Sequence, residues 1–581
     1  MKNWNLNDLY LGFDDKYNQD LGLLEQLVDE YMDFINKKSV SSIDYIEGYL
    51  KYQEEIHRIS RTLSSFAMLT LATDVTNDQA PLYMSKVQKI YRKATAEDVL
   101  FTRYIESVDL DELASQSKLI NQYKYNLYLE QQEAKHLLTE KEEILYAKLK
   151  ELASSGWGML HNITTANLAV DFRGDEISLS EARNLAYDHD PKVREDAFNA
   201  EIKAYGTIED QVALALSNIK REVVLMNELR GYDSALDKTL EQSKMTKATL
   251  DAMLSAMMDY RPYFEAYLKQ KAKYLGHETN LPFYDLFAPV GKLEKTYTYE
   301  EAQDLVKEAF YGYSKRLGDF ATRAFDQEWI DVYPKKGKRG GAFCSNQPQL
   351  KQSRIMTNFT GSLSDVLTLA HELGHGYHGE VISNNQPLHW SYPMPLAETA
   401  SIFCETIVNN HLLKTITDPK QRLSILENSL QGDTQVIVDI LSRYMFETNL
   451  LEHSTGPVSK HQMKEMMLNA QKESYLNGLD HNQLHPYMWL VKGHYYSAQL
   501  NFYNFPYAFG LLFGKGLYAQ YIKEPNNFIA NYDDLLLLTT KTSIEEVAKT
   551  MNIDVTQKDF WIDSLNQVKK DIDEVIALFK L

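Results

Sequence analysis

Residues 371–378 read His-Glu-Leu-Gly-His-Gly-Tyr-His. On an α-helix His371 and His375 stand one turn apart on one face, so two imidazoles can grip a single zinc ion, with Glu372 beside them to take a proton from water. Ser362 and Asp365 form a capping pair ahead of the apolar run Val366, Leu367, Leu369, Ala370 and Leu373, and Asn358-Phe359-Thr360-Gly361 breaks the chain before it. The pattern predicts a helix over 362–378. The competing reading, a buried helix with two core histidines, would leave Glu372 as a buried charge without a partner.

A catalytic zinc takes three protein ligands and keeps one position open. His378 shares the face of His371 but lies about 10.5 Å further along the axis, so it is expected to support the site without binding the ion. Glu380 faces another side, and His389 would need a tight return turn that lacks the glycine spacing for it. Glu398 suits best: Pro393 and Pro395 punctuate a loop, and Pro395 can open a helix with Glu398 in its first turn. Glu405, seven residues on, shares that face and can hydrogen-bond a ligating histidine.

His371-Glu372-Leu373-Gly374-His375-Gly376-Tyr377-His378, followed by Leu396-Ala397-Glu398 and Glu405, resembles the thimet oligopeptidase (M3) family of zinc metallopeptidases, and within it the bacterial oligoendopeptidase F branch. Leu229-Arg230-Gly231-Tyr232, Lys338-Arg339-Gly340-Gly341-Ala342-Phe343, His494-Tyr495-Tyr496 and Phe502-Tyr503-Asn504-Phe505-Pro506-Tyr507 carry the resemblance over residues 220–520. It implies a large multi-helix zincin-type fold, with a deep channel between two helical halves that admits oligopeptides and excludes folded proteins.

From Tyr487 to Phe509 the chain carries nine aromatics around His494. A peptidase needs donors for the oxyanion formed when water attacks a carbonyl, and Tyr hydroxyls and His imidazoles qualify. The resemblance implies His494 and Tyr503 in that role, with Tyr507 a further candidate; as plain sequence, such a stretch also suits a core or an interface. His481 and His485 share the i, i+4 spacing but lack a Glu between them, and Pro486 ends any helix, so they read as a loop.

Trp329–Tyr333 and Arg354–Phe359 read as strands. Between them, residues 335–341 (KKGKRGG) form the one compact basic cluster, either a solvated turn or a glycine-flexible flap over a cleft. It is not a P-loop.

Across 581 residues glycine (26) and proline (15) are scarce, and apolar residues recur at helical spacing, as in Leu24, Leu27, Val28, Tyr31, Phe34 and Ile35. Thr139 with Glu142, Ser178 with Glu181, and Asp190-Pro191 mark further helix starts. The expected fold is mainly α with a small β-sheet near the zinc. The expected division is a helical domain over 1–185 and a catalytic domain over 186–581. A net charge of −20 argues against nucleic acid and anionic membranes as partners. No apolar stretch near Met1 or elsewhere reads as a leader or a membrane span. Two cysteines outside any CxxC pair suggest a reducing compartment, so a cytoplasmic protein is expected.

The leading expectation is therefore an endopeptidase of short peptides holding one Zn²⁺ through His371, His375 and Glu398, with Glu372 as base. The rivals are a helical zinc exopeptidase, in which Lys338 or Arg339 could hold a substrate terminus, and a binding protein without catalysis.

Overall fold

Local capping starts many of the helices. Thr139 with Glu142, Ser178 with Glu181 and Ser362 with Asp365 each make a reciprocal capping box, and Asp190 caps Pro191–Leu229, with proline in its first turn. The computed structural model describes residues 2–37, 41–291 and 295–580. Helices dominate these residues, and five short strands accompany them.

The chain divides into two units, each assembled from three segments. One comprises Leu137–Glu294, Leu413–Ala519 and Ile553–Leu581. It contains the long helices Pro191–Leu229 and Lys247–Tyr274 and an antiparallel hairpin of β1 (Ala169–Phe172) and β2 (Asp175–Ser178). Position 185, where a boundary was expected, lies inside this hairpin unit.

The other comprises Met1–His136, Lys295–Leu412 and Gln520–Asn552. Leu24, Val28, Tyr31 and Ile35 on the helix Asp15–Asn36 are buried in its core, and Leu27 and Phe34 pack at the margin. Each such buried side chain contributes about 1.5–3 kcal/mol. Its sheet holds β3 (Ile330–Asp331), β4 (Phe343–Gln347) and β5 (Gln352–Met356) in the order β3-β5-β4, with β3 parallel and β4 antiparallel to β5. β3 and β5 fall within or beside the two expected strands; β4 was not expected.

The basic cluster belongs to this sheet unit; Lys336 and Arg339 are exposed, and only Lys338 turns its side chain inward. The Lys338 ammonium is fully buried 2.6 Å from Asp331 Oδ1 and also donates to the carbonyls of Asp331 and Tyr333. It is neither solvated nor free to hold a substrate terminus, which corrects the expectation for that residue. Among the described residues no helix is long and apolar enough to cross a membrane.

Candidate active site

The motif helix spans Leu363–Ile382. The Asp365 carboxylate accepts from the backbone N–H groups of Thr360, Gly361 and Ser362, which fixes where the helix begins. Three glycines let neighbours approach it closely. A Cβ on Gly374 would lie 2.5 Å from the carbonyl oxygen of Ala400, and one on Gly379 would strike the Asn346 side chain of β4. Asn346 Nδ2 in turn donates to the carbonyl of His375 at 3.3 Å.

Across the Gly374 contact runs the helix Thr399–Thr415. The expected continuous helix from Pro395 is broken: a single turn, Met394–Ala397, ends at Glu398, and Glu398 then accepts the first bond of the following helix, from Ile402 N–H. Glu398 is therefore the junction between two helices. Its Oε2 accepts from Ser401 Oγ at 2.8 Å, which orients the carboxylate.

Glu398 Oε2 lies 3.2 Å from His371 Nε2 and 3.4 Å from His375 Nε2, and the ligand atoms of the three residues all fall within 4.8 Å of one another. Donors around one tetrahedral ion with bonds of about 2.0–2.1 Å are roughly 3.3 Å apart, so this donor set fits a single small divalent cation. On the other side of its ring, His371 Nδ1 donates to Glu405 Oε2 at 3.0 Å.

Burial disfavours charge on His371, but its bonds to Glu398 and Glu405 outweigh that and raise its pKa to about 10. Burial also works against the Glu398 carboxylate, yet the two imidazoles hold its carboxyl well below the usual range. Without a metal the cluster thus keeps a proton where a cation would sit. Glu372 is buried, burial raises its pKa, and its Oε2 has no hydrogen-bond partner among the described residues. That unmatched oxygen is what a proton acceptor needs.

His378 is outside the donor cluster. It is fully buried, its Nε2 is 2.9 Å from Thr539 Oγ1, and its ring stacks on Tyr392 at 4.2 Å. Burial, reinforced by His375, lowers its pKa to about 3, so it stays neutral. Glu380 pairs with Arg323, and His389 Nε2 with Asn126, so neither candidate joins the cluster.

His494, Tyr503 and Tyr507 are gathered in the hairpin unit. The rings of His494 and Tyr503 lie 5.2 Å apart, and the Tyr503 and Tyr507 hydroxyls share a 2.8 Å hydrogen bond. Burial, with the charges of Arg443, Lys220 and Lys492, lowers the His494 pKa to about 3. Arg443 Nη1 donates to Asn504 Oδ1 at 3.2 Å, so the Asn504 amide nitrogen faces His494 Nε2 at 2.9 Å. Nε2 therefore accepts, and the proton of the neutral ring resides on Nδ1. Sequence reasoning gave no role to Asn504, Arg443 or Ser401; nothing in their local pattern marks them. His481 and His485 form no metal cluster: His481 Nε2 contacts the carbonyl of Leu476, and His485 Nε2 lies 3.6 Å from Glu201.

The sequence profile of peptidase family M3 matches residues 184–567, which include every candidate residue of both clusters. The chain belongs to peptidase family M3. A second profile, described as oligopeptidase F, matches residues 105–169. Oligopeptidase PepF of Bacillus subtilis is 24% identical over 593 residues, covering 99% of this chain and 87% of its own. An oligoendopeptidase F homolog of Lactococcus lactis subsp. lactis is 26% identical over 543 residues, covering 89% and 88%. The solved oligoendopeptidase-F of Enterococcus faecium superposes with a TM-score of 0.71 at 18% identity, over 98% of this chain and 99% of that one, and so shares the mainly helical fold. As an M3 member the protein is a metallopeptidase, a metal-dependent hydrolase of peptide bonds.

Proposed function

We propose that this M3 peptidase is a zinc endopeptidase of short peptides, with one Zn²⁺ held by His371, His375 and Glu398. The observation that carries this reading is the spacing of the three donors: 3.2 and 3.4 Å from one carboxylate oxygen to two imidazole nitrogens. Zinc, when bound, supplies a Lewis acid that polarises a carbonyl and acidifies water. Glu372 Oε2 takes the proton of the water as its oxygen attacks the scissile carbon. It then delivers that proton to the amine as the C–N bond breaks. Glu405 holds His371 by Nδ1 and so keeps Nε2 directed at the ion. The Tyr503 hydroxyl and the Nδ1–H of His494 donate to the developing oxyanion, with Tyr507 bonded to Tyr503 in support. His378 fills space behind the motif as a neutral packing group. Two free cysteines, the half-buried Cys344 and the buried Cys404, support a reducing, cytoplasmic setting.

Chelator dialysis followed by metal add-back tests the reading. Cleavage of an internally quenched peptide should vanish with the metal and return as zinc reaches one equivalent per chain. Full cleavage by protein shown to be metal-free would overturn it.

A further inference from the structure

A cavity of about 290 Å³ lies within the hairpin unit, lined by Arg183, Arg194, Glu201, Asp439, Arg443 and Lys492 together with several aromatic rings. Three of its four cations are matched. Arg194 Nε is 2.7 Å from Asp285, Arg183 Nε is 3.4 Å from Glu201, and Arg443 pairs with Asp439. Lys492 is the exception: it is partly buried, and its ammonium makes no hydrogen bond or ion pair among the described residues. Burial and the neighbouring Arg443 lower its pKa to about 8, so it still carries a proton at neutral pH. Arg443 contributes a second unmatched donor, a buried Nε with no acceptor. A half-buried ammonium beside other cations, open to solvent only in part, favours an arriving counter-charge.

The cavity also adjoins the donor patch. Arg443 bonds Asn504, Asn504 bonds His494, and Lys492 is two residues from His494. Substrate held at His494 would therefore have a cationic pocket on the same hydrogen-bonded wall.

We propose that this cavity is a carboxylate subsite, in which Lys492 and Arg443 receive one carboxylate of the peptide substrate. The inference rests on the peptidase reading above. Its source is either the C-terminal carboxylate or an acidic side chain near that end, since a lysine ammonium and an arginine donor recognise both alike. One surplus positive charge matches one carboxylate. Recognition of the terminal carboxylate would set the cleaved bond by its distance from the peptide end.

The test compares steady-state kinetics on three versions of one peptide: free C-terminus, C-terminal amide, and free C-terminus with its penultimate Glu changed to Gln. Loss of the recognised carboxylate should raise the wild-type KM by about 10- to 100-fold with kcat little changed. The amide identifies the terminus as the source, and the Gln peptide the side chain. Lys492→Met should raise KM for the preferred peptide to that of its neutral version and abolish the discrimination, whereas Lys492→Arg should keep most of it. If the wild type cleaves all three peptides with one KM, the subsite is overturned and the peptidase reading stands. Equal losses on charged and neutral peptides in Lys492→Met overturn it as well. If no peptide is cleaved by the metal-loaded protein, the peptidase reading falls and this inference with it. The wild-type comparison alone decides the matter if the variants do not fold.

Discussion

Glu405 Oε2 accepts a 3.0 Å hydrogen bond from His371 Nδ1, on the opposite side of the ring from the Glu398 carboxylate, which lies 3.2 Å from Nε2. The imidazole is thereby fixed in tautomer and rotation, with Nε2 presented to the donor cluster. Glu405→Ala is expected to weaken zinc affinity by about 10- to 100-fold while leaving the helical content unchanged. Competition with a fluorescent chelator measures this, and an unaltered affinity would remove Glu405 from the site.

Glu372→Gln keeps the shape of the side chain but cannot accept the proton. It should bind zinc as the wild type does and lose about 10²–10⁴ in kcat. Metal analysis beside turnover separates the two effects, and turnover retained at near wild-type rate would exclude Glu372 as the base.

Tyr503→Phe should lower kcat by about 10²–10³ with little change in KM, because its hydroxyl bond is made in the transition state. An unchanged kcat would leave the patch without a catalytic tyrosine at this position.

Gly374→Ala tests the helix contact that brings Glu398 to the histidines. The new Cβ would meet backbone atoms at 2.5 Å (Ala400 O) and 2.6 Å (Ser401 Cα), which no rotamer change can relieve. Overpacking of this kind costs about 1–3 kcal/mol, so the variant should unfold at a lower Tm and bind metal more weakly. A wild-type Tm would mean the two helices are not held at this separation.

In the metal-free protein His371 has its pKa raised to about 10 despite burial, by Glu398 and Glu405. A raised histidine pKa stabilises the fold fully below its unfolded value, about 6.5, and that contribution is lost as pH rises through about 10. Zinc must displace the same proton, so its affinity should increase with pH and its binding should release protons. The difference in Tm between zinc-loaded and metal-free protein should therefore widen from pH 6.5 toward 10. A difference that narrows over that range would contradict the assignment of His371 as a ligand.

What the sequence made legible was local. The Ser362–Asp365 box needs only three residues of separation, and the i, i+4 histidines need only one turn of the helix it starts. Glu398 could be found because prolines isolate it, although its place at a junction between two helices could not. β4 was hidden because Phe343-Cys344-Ser345-Asn346-Gln347 has no clean alternation. It is a strand through its ladder with β5 and the docking of Asn346 at Gly379. The tautomer of His494 was beyond reach of sequence reading, since Arg443, far back in the chain, sets the amide of Asn504 that in turn sets the ring. Lys338 misled because a run of basic residues gives no sign of which one folds inward onto Asp331.

The most direct test uses an N-acetylated peptide of about ten residues, roughly 33 Å when extended, incubated with zinc-loaded protein and analysed by mass. An endopeptidase gives two complementary internal fragments from the first turnover, and none in the presence of chelator. Stepwise loss of single residues from the C-terminus, with no internal fragment, would contradict the account and make the protein a carboxypeptidase.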